Sequence, residues 1–202
     1  MSKVLVAMSG GVDSSVSAYL LQKQGHSCQA VTMRLFDHSE NVADSYKENL
    51  ARDRSDAQSV SLQLDIPFEL CDLRDRFKTE VMEEFVKAYQ SGQTPNPCLY
   101  CNRHLKFESL LALADEKGCD KLATGHFVRI LYNESSQEYE LHKAVNLAKD
   151  QSYVLYQLTQ AQLARLLFPL GDLSKEEVKQ IAAEQGFSSA NKAESQDICF
   201  IP

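Results

Sequence analysis

The fold is decided near the N-terminus, where Val4-Leu5-Val6-Ala7-Met8 leads directly into Ser9-Gly10-Gly11-Val12-Asp13-Ser14-Ser15. A short, wholly apolar run is typical of a parallel strand that is buried on both faces. The paired glycines allow a sharp turn, and the apolar spacing after them predicts a helix over residues 13–24 that ends at Gly25. This order favours a phosphate site, because the N–H groups and the dipole of a helix N-terminus both attract an anion.

Outward from this unit, the first 125 residues alternate strand-like and helix-like segments. The pattern predicts strands near 29–33, 68–71 and 121–124. It predicts one helix over about 50–64, a second that begins after the N-cap Asp72, and a third that begins at the N-cap Asn102 and ends at Gly118. The polar residues 34–49 are predicted to form a loop. Because alternating β and α segments are the signature of a parallel sheet with helices on its faces, we expect a doubly wound α/β domain.

The pattern changes after Gly125. Residues 127–132 and 139–143 flank a polar turn and predict a hairpin. The remainder is predicted to be helical, with segments around 152–158, from about 159, and from Ser174, which forms a capping box with Glu177. The second part of the chain is therefore expected to be a helical appendage.

Composition narrows the classes of function. The chain has 202 residues, and its 21 basic and 28 acidic side chains give a net charge of −7, which argues against a surface that is basic all over. No apolar run approaches the roughly 20 residues of a membrane span, and the early strand leaves no room for a signal peptide. Six cysteines then point to a reducing compartment, so we expect a cytoplasmic protein. The apolar end at 198–201 leads us to expect a truncated chain.

The glycine turn offers hydroxyls as well as N–H groups to an anion. Ser9, Ser14 and Ser15 can donate to phosphate oxygens, and the turn lacks the G-x-x-x-x-G-K-S/T pattern of kinases and GTPases. The alternative is a plain connecting turn between strand and helix. Asp13 has two open interpretations, a group that serves phosphate or Mg²⁺ and the N-cap of the helix.

A second motif carries two thiols. Cys98-Leu99-Tyr100-Cys101 follows Thr94-Pro95-Asn96-Pro97, whose prolines stiffen the approach. Because Cys101 directly precedes the predicted cap Asn102, we expect a helix dipole to lower its pKa and raise its nucleophilicity. The alternatives are a zinc half-site with His104 and a redox pair, although the chain has no second C-x-x-C.

The other four cysteines carry weaker signals. Cys199 lies in Glu194-Ser195-Gln196-Asp197-Ile198-Cys199-Phe200, and alone it would be interpreted as a small buried apolar residue. The same interpretation is preferred for Cys28, Cys71 and Cys119, which lie in or beside predicted strands.

Taken together, the motifs resemble those of the tRNA-specific 2-thiouridylase family. The resemblance runs in order through Ser9–Ser15, TPNPCLYCNRHLKF at 94–107, ATGHFV at 123–128, KDQSYVL at 149–155 and ESQDICFI at 194–201. It implies the adenine nucleotide alpha hydrolase-like fold of the PP-loop ATP pyrophosphatases, with an ATP-binding catalytic domain at 1–145 and the helical appendage at 146–202. Family members continue with a small central domain and a C-terminal β-barrel, and we expect both to be missing from this chain.

The resemblance also implies roles for individual residues. The ATP-contacting positions are Ala7, Met8, Ser9, Gly10, Gly11, Val12, Asp13, Ser14, Met33 and Gly125. Cys101 matches the nucleophile, and Cys199 matches the cysteine that carries a persulfide. Asn96, Pro97 and Cys98 match the loop at the target base, although many relatives have Asp at the position of Cys98. Lys149, Asp150 and Gln151 match a further tRNA contact.

The implied reaction is thiolation of C2 of the wobble uridine in tRNAs for Lys, Glu and Gln. ATP with Mg²⁺ would adenylate the C2 oxygen, and a sulfur-donor protein would load Cys199. One alternative keeps the fold but holds a 4Fe–4S cluster on Cys98, Cys101 and Cys199. Another is a non-catalytic ATP-binding module. The sequence makes no prediction about the oligomeric state.

Overall fold

The computed structural model describes residues 1–36, 44–190, 192 and 198–201, and for 44–50 the backbone alone. The first part of the chain comprises β1 (Lys3–Ala7), α1 (Val12–Lys23), β2 (Ser27–Arg34), α2 (Asp44–Gln63), β3 (Phe68–Asp72), α3 (Arg74–Phe77), a π-helix (Lys78–Met82) and α4 (Glu83–Gln90). It continues with α5 (Pro97–Tyr100), a second π-helix (Cys101–Phe107), α6 (Glu108–Glu116) and β4 (Lys121–Ala123). The last part comprises β5 (Val128–Asn133), β6 (Glu138–Lys143), 3₁₀ turns (Leu147–Lys149 and Ser152–Val154), α7 (Gln160–Leu163), β7 (Leu166–Leu167) and α8 (Lys175–Glu184).

The main sheet has five strands in the order β3-β2-β1-β4-β7, and its pairings are all parallel. The chain moves outward on one side of β1 through β2 and β3, and then crosses back to β4 on the other side. In such sheets a ligand crevice opens where the order reverses, at the carboxyl ends of the two central strands. Here that point lies between β1 and β4, so the glycine turn after β1 meets Gly125 after β4.

Two apolar layers enclose the sheet. Val4 and Val6 of β1 face a cluster that includes Val16 of α1 and Val178 of α8. Leu5 faces the opposite layer, which includes side chains of α6. β1 is therefore buried on both faces, as its apolar sequence predicts, and the doubly wound α/β class is confirmed.

The structure differs from the sequence prediction at α2. This helix begins at Asp44, six residues before the predicted start, so part of the predicted loop at 34–49 is helical; residues 37–43 lie outside the described part. Its inner face is made by Ala57 and Val60, near its C-terminal end, and Leu64 directly after the helix belongs to the same cluster. A helix held there can extend backward through residues that carry no apolar periodicity, because adding a turn costs little once the helix is nucleated.

The C-terminal part is less helical than predicted. The hairpin of β5 and β6 and the capping box of Ser174 are confirmed. The segment around 152–158 contains only a 3₁₀ turn, and β7, predicted within a helical stretch, pairs with β4 in the main sheet. The division between residues 145 and 146 stays a prediction. No helix in the described ranges combines the length and the apolar character needed to cross a membrane.

Candidate nucleotide and thiol site

The glycine turn is shaped by its backbone. Gly10 has φ +79°, and a Cβ at this position would lie 1.9 Å from the backbone oxygen of Asp53 in α2. Only glycine fits such a close approach. Gly11 is the N-cap of α1, so the interpretation of Asp13 as the N-cap is wrong. Asp13 lies in the first turn of α1, where the helix N–H groups point toward the crevice.

The hydroxyls of the turn hold the turn itself. Ser14 Oγ donates to the carbonyl oxygen of Gly11 at 3.1 Å and accepts from the N–H of Ser9 at 3.1 Å. Ser15 is fully buried, and its Oγ donates to the same carbonyl at 3.0 Å. The expectation that Ser15 donates to phosphate is therefore wrong for this arrangement. These hydrogen bonds within the turn fix its backbone, and they thereby preorganise its N–H groups for an anion.

The residues predicted to contact ATP converge on one edge of the sheet. Ala7 and Met8 end β1, Met33 lies near the end of β2, and Gly125 follows β4. A Cβ on Gly125 would lie 2.8 Å from the backbone nitrogen of Ser14, so β4 and α1 pack directly against each other here. The individual ATP contacts stay predictions, but the fold brings the segments that contain these residues together.

Two lysines that sequence reasoning missed reach the turn from the C-terminal part. Lys175 Nζ, at the start of α8, lies 2.6 Å from Asp13 Oδ1. Lys192 Nζ lies 3.2 Å from the carbonyl oxygen of Gly10 and 2.8 Å from Asp56 Oδ2, and it also pairs with Asp53. These contacts join residues more than 130 positions apart, and no local pattern signals them.

A buried histidine follows Gly125. His126 Nδ1 lies 2.6 Å from Thr124 Oγ1, and the imidazole ring lies 6.1 Å, centroid to centroid, from both Phe107 and Phe168. Burial, together with a smaller effect of the charge of Lys106, lowers the pKa of His126 to about 3. The ring is therefore neutral at physiological pH and contributes a hydrogen bond rather than a charge.

The thiol motif begins a helix earlier than predicted. Asn96 is the N-cap, its side chain accepts from the N–H of Cys98 at 3.1 Å, and Pro97 occupies the first helical position. Asn102, predicted as the cap, lies inside the π-helix, where its Oδ1 is buried and has no hydrogen-bond partner within the described residues. Cys101 therefore lies beyond the first turn of the helix rather than at its N-terminus.

This position reverses the expected acidity of Cys101. Its side chain is 5% exposed and packs with Leu73, Phe77, Val81 and Leu105. Burial raises its pKa to about 11, and the ammonium of Lys106 opposes that rise only in part. The predicted lowering of the pKa of Cys101 is therefore wrong, because desolvation of the thiolate outweighs nearby positive charge.

The end of the chain lies over this cluster. Phe200 packs on the residues around Cys101, with its ring centroid 5.5 Å from that of Phe77 and 5.3 Å from that of Phe85. Cys199 is exposed as a residue, yet desolvation of its thiol by burial raises the pKa. The charge of Lys106 lowers the pKa of Cys199, as it does for Cys101. A charge on Cys199 or Cys98 raises the pKa of Cys101, so the three thiols lie within electrostatic range of one another. At 198–201 the end of the chain is therefore docked on the cluster that buries Cys101.

The three thiols are not arranged as metal ligands. Among the residues that the structure describes, no group of three or more His, Cys, Asp or Glu side chains is placed to hold a metal ion. This arrangement does not fit a zinc site that includes His104, whereas the 4Fe–4S alternative stays a prediction. His104 instead stacks on Tyr100 at 4.4 Å between ring centroids.

The predicted tRNA contact at 149–151 contributes to the local fold. Asp150 Oδ1 accepts from the N–H of Ala144 at 2.9 Å, and its Oδ2 accepts from Ser152 at 2.7 Å. Gln151 Oε1 accepts from the N–H of Phe127 at 3.0 Å. Lys149 ends the preceding 3₁₀ turn. A tRNA role for these residues stays a prediction.

Comparison with known proteins identifies the family of this chain. A family model described as tRNA methyl transferase HUP domain matches residues 2–202. The chain belongs to this family. The HUP domain is also similar to a protein of Herpetosiphon aurantiacus named tRNA-specific 2-thiouridylase MnmA, with 48% identity over 202 residues that cover 100% of this chain and 56% of the relative. The chain thus spans just over half the length of the curated relatives it matches, and the resemblance that the motifs carry is confirmed.

Solved structures confirm the fold of the HUP domain. The U34-tRNA thiolase NcsA from Methanococcus maripaludis, solved with its 4Fe–4S cluster, has a TM-score of 0.61 at 18% identity and covers 98% of this chain and 61% of its own. A 4-thiouridine synthetase in complex with RNA and ATP has a TM-score of 0.60 at 19% identity, covering 98% and 45%. At such identities the likeness establishes the α/β fold alone.

Proposed function

We propose that this chain is the catalytic part of a tRNA 2-thiouridylase that activates C2 of a wobble uridine with ATP and replaces its oxygen with sulfur. The observation that carries the proposal is the docking of the 198–201 tail, which contains Cys199, over the cluster that buries Cys101. A nucleotide-binding module needs no second thiol beside the first. The name of the curated relative supports the same reaction and the same tRNA substrate.

The ATP half of the reaction belongs to the glycine turn. Its N–H groups and the N-terminus of α1 would receive the phosphates, and the uridine C2 oxygen would attack the α-phosphate and release pyrophosphate. Asp13 is suited to Mg²⁺, which proteins commonly hold with one or two carboxylates and the phosphates of the substrate. The metal would neutralise the leaving pyrophosphate.

The sulfur half belongs to Cys199 and Cys101. In one route, the Cys101 thiolate attacks the inner sulfur of a persulfide on Cys199, a Cys101–Cys199 disulfide forms, and the released hydrosulfide displaces AMP from C2. In the other, the outer persulfide sulfur displaces AMP first, and Cys101 then attacks the Cys199 sulfur and releases the 2-thiouridine. Both routes end in the same disulfide, which an external thiol reductant must reduce.

The high pKa of Cys101 affects both routes. A thiol with a pKa of about 11 is almost wholly protonated at pH 7, and the thiolate is the nucleophile. Lys106 is the cation whose charge lowers the pKa of both Cys101 and Cys199. Lys106 would therefore stabilise whichever sulfur anion forms.

The partners follow from this chemistry. A persulfide-bearing donor protein would load Cys199, which is exposed as a residue. The target uridine would enter beside Asn96, Pro97 and Cys98, at the start of the thiol helix (residues 97–107), where Asn96 and Cys98 are exposed and Pro97 is buried. The reducing chemistry of this cycle is consistent with the cytoplasm, where we place the protein.

A direct experiment measures 2-thiouridine in tRNA after incubation with Mg²⁺, ATP and a persulfide donor. Cys101→Ser and Cys199→Ser should each abolish thiolation, while Cys119→Ser should retain it, because Cys119 belongs to a different apolar cluster from the one that buries Cys101. Pyrophosphate release should depend on tRNA. Retained thiolation in Cys199→Ser would exclude the persulfide role, and ATP binding without tRNA-dependent pyrophosphate release would favour a binding module.

A further inference from the structure

Lys175 is buried to an extent that is unusual for a lysine. The residue is 4% exposed, its Nζ lies 2.6 Å from Asp13 Oδ1, and the ammonium lies 5.6 Å from the centroid of the Phe127 ring. Removing an ammonium from water carries a large free-energy cost that a paired carboxylate offsets only when the geometry is good. The burial of this cation therefore needs a reason.

The packing of α8 against the core does not explain why Lys175 is buried. The helix contacts the core through Val178 and Ala182, both fully buried, and Lys179 on the same helix is exposed. An apolar side chain at position 175 would fill the same space at a lower desolvation cost. The ion partner of Lys175 is not on α8 but in the first turn of α1, directly after the glycine turn.

Asp13 is held by three elements at once. Asp13 lies on α1, and Lys175 of α8 contacts its carboxylate. Gly125, which follows β4, packs against the backbone of Asp13, because a Cβ added to Gly125 would lie 2.9 Å from the carbonyl carbon of Asp13. A carboxylate at this place would repel the phosphates of ATP unless its charge were balanced or bound to a metal ion. Lys175 balances that charge and limits the orientations of the carboxylate.

We propose that Lys175 is a positioning residue of the nucleotide site, whose ammonium holds the Asp13 carboxylate in the orientation that receives the Mg²⁺ of ATP. The inference rests on the proposed function only in that ATP is the ligand. It adds a residue that no sequence motif at the turn includes. It also makes α8, which belongs to the C-terminal part, a component of the ATP site.

The test measures the Kd of Mg²⁺-ATP by calorimetry on the purified protein and three variants. Lys175→Met should raise the Kd at least 10-fold, and Lys175→Arg should recover part of that loss. Lys179→Met is the matched control on the same helix and should change the Kd less than 2-fold. Thermal unfolding of each variant establishes that the fold is retained.

A double-mutant cycle separates positioning from a structural role. If Lys175 acts through Asp13, then Lys175→Met should change the Kd less than 2-fold in a protein that already carries Asp13→Asn. An equal loss in both backgrounds would overturn the inference, as would a Lys175→Met protein with the ATP affinity of Lys179→Met. A wild-type protein without ATP binding would overturn the proposed function and this inference together, whereas a failure confined to Lys175 leaves the proposed function intact.

Discussion

The glycine turn and the thiol helix serve the two halves of the proposed reaction, and burial affects an anion in opposite ways at the two places. At the turn, Gly10 and the bonds of Ser14 fix the backbone before any ligand arrives, and the N–H groups already suit an anion. At the thiol helix, burial of Cys101 disfavours the anion that its chemistry requires. The comparison indicates that nucleotide binding needs no rearrangement, whereas sulfur transfer needs Cys101 to gain water or positive charge first.

The largest effect is expected at the turn. Gly10→Ala should abolish ATP binding and lower the free energy of unfolding by about 3 kcal/mol, since a left-handed alanine adds strain and its Cβ meets the Asp53 carbonyl. Gly92→Ala is the matched control, because Gly92 also has a positive φ but no atom lies within 4 Å of an added Cβ. It should cost about 1 kcal/mol. Equal losses of stability, measured by urea unfolding, would show that Gly10 is not in close contact.

A smaller effect is expected where the tail covers the thiol helix. Phe200→Ala should lower the rate of thiolation about 10-fold and speed alkylation of Cys101 by iodoacetamide, because the aromatic contacts with Phe77 and Phe85 are lost. Ile201→Ala, at the exposed neighbouring residue, is the control and should change neither rate. Unchanged alkylation of Cys101 in Phe200→Ala would show that the tail does not shield this thiol.

The raised thiol pKa values predict a dependence of stability on alkaline pH. Burial raises the pKa of Cys28 and of Cys101 from 9.0 to about 11, so the unfolded chain loses these protons first. The free energy of unfolding should therefore fall as the pH rises from about 9 to 11, by at most about 3 kcal/mol for each thiol. Cys101→Ala should reduce this slope. A slope that is the same in both proteins would mean that Cys101 titrates normally in the folded state.

The smallest effect is expected at the predicted tRNA contact. Lys149→Met should weaken tRNA binding a few-fold and reduce the slope of log K against log salt by about 1, as expected for one phosphate contact. Lys23→Met, at the end of α1, is the control. Asp150→Ala should instead lower stability, because it removes the acceptor for Ala144 and Ser152. A salt slope that Lys149→Met leaves unchanged would remove this residue from the tRNA surface.

Local sequence was sufficient wherever a feature depends on neighbouring residues. The apolar β1, the glycine turn, the hairpin and the capping box of Ser174 each follow from a short pattern, and each is present. The doubly wound parallel sheet also follows, since alternating β and α segments allow few arrangements. The glycine turn could therefore be located and its ligand class inferred from about a dozen residues.

The features of the fold and the site that the sequence did not predict depend either on signals that were misinterpreted or on contacts between residues distant in sequence. Asn96-Pro97 is an N-cap followed by proline at the first helical position, a start signal that we interpreted as a stiff loop. That shift moved Cys101 away from the helix N-terminus and reversed its expected pKa. Lys175 meets Asp13 across 162 residues and Lys192 meets Gly10 across 182, and no single-sequence pattern reports such pairs.

The central claim is that Cys101 and Cys199 form one sulfur-transfer centre beside the nucleotide turn. The most direct test is a single turnover with persulfidated protein, Mg²⁺-ATP and tRNA in the absence of a thiol reductant, followed by mass spectrometry of the peptides and the tRNA. The account predicts one Cys101–Cys199 disulfide for each 2-thiouridine formed. Formation of 2-thiouridine while Cys101 stays a thiol would contradict it.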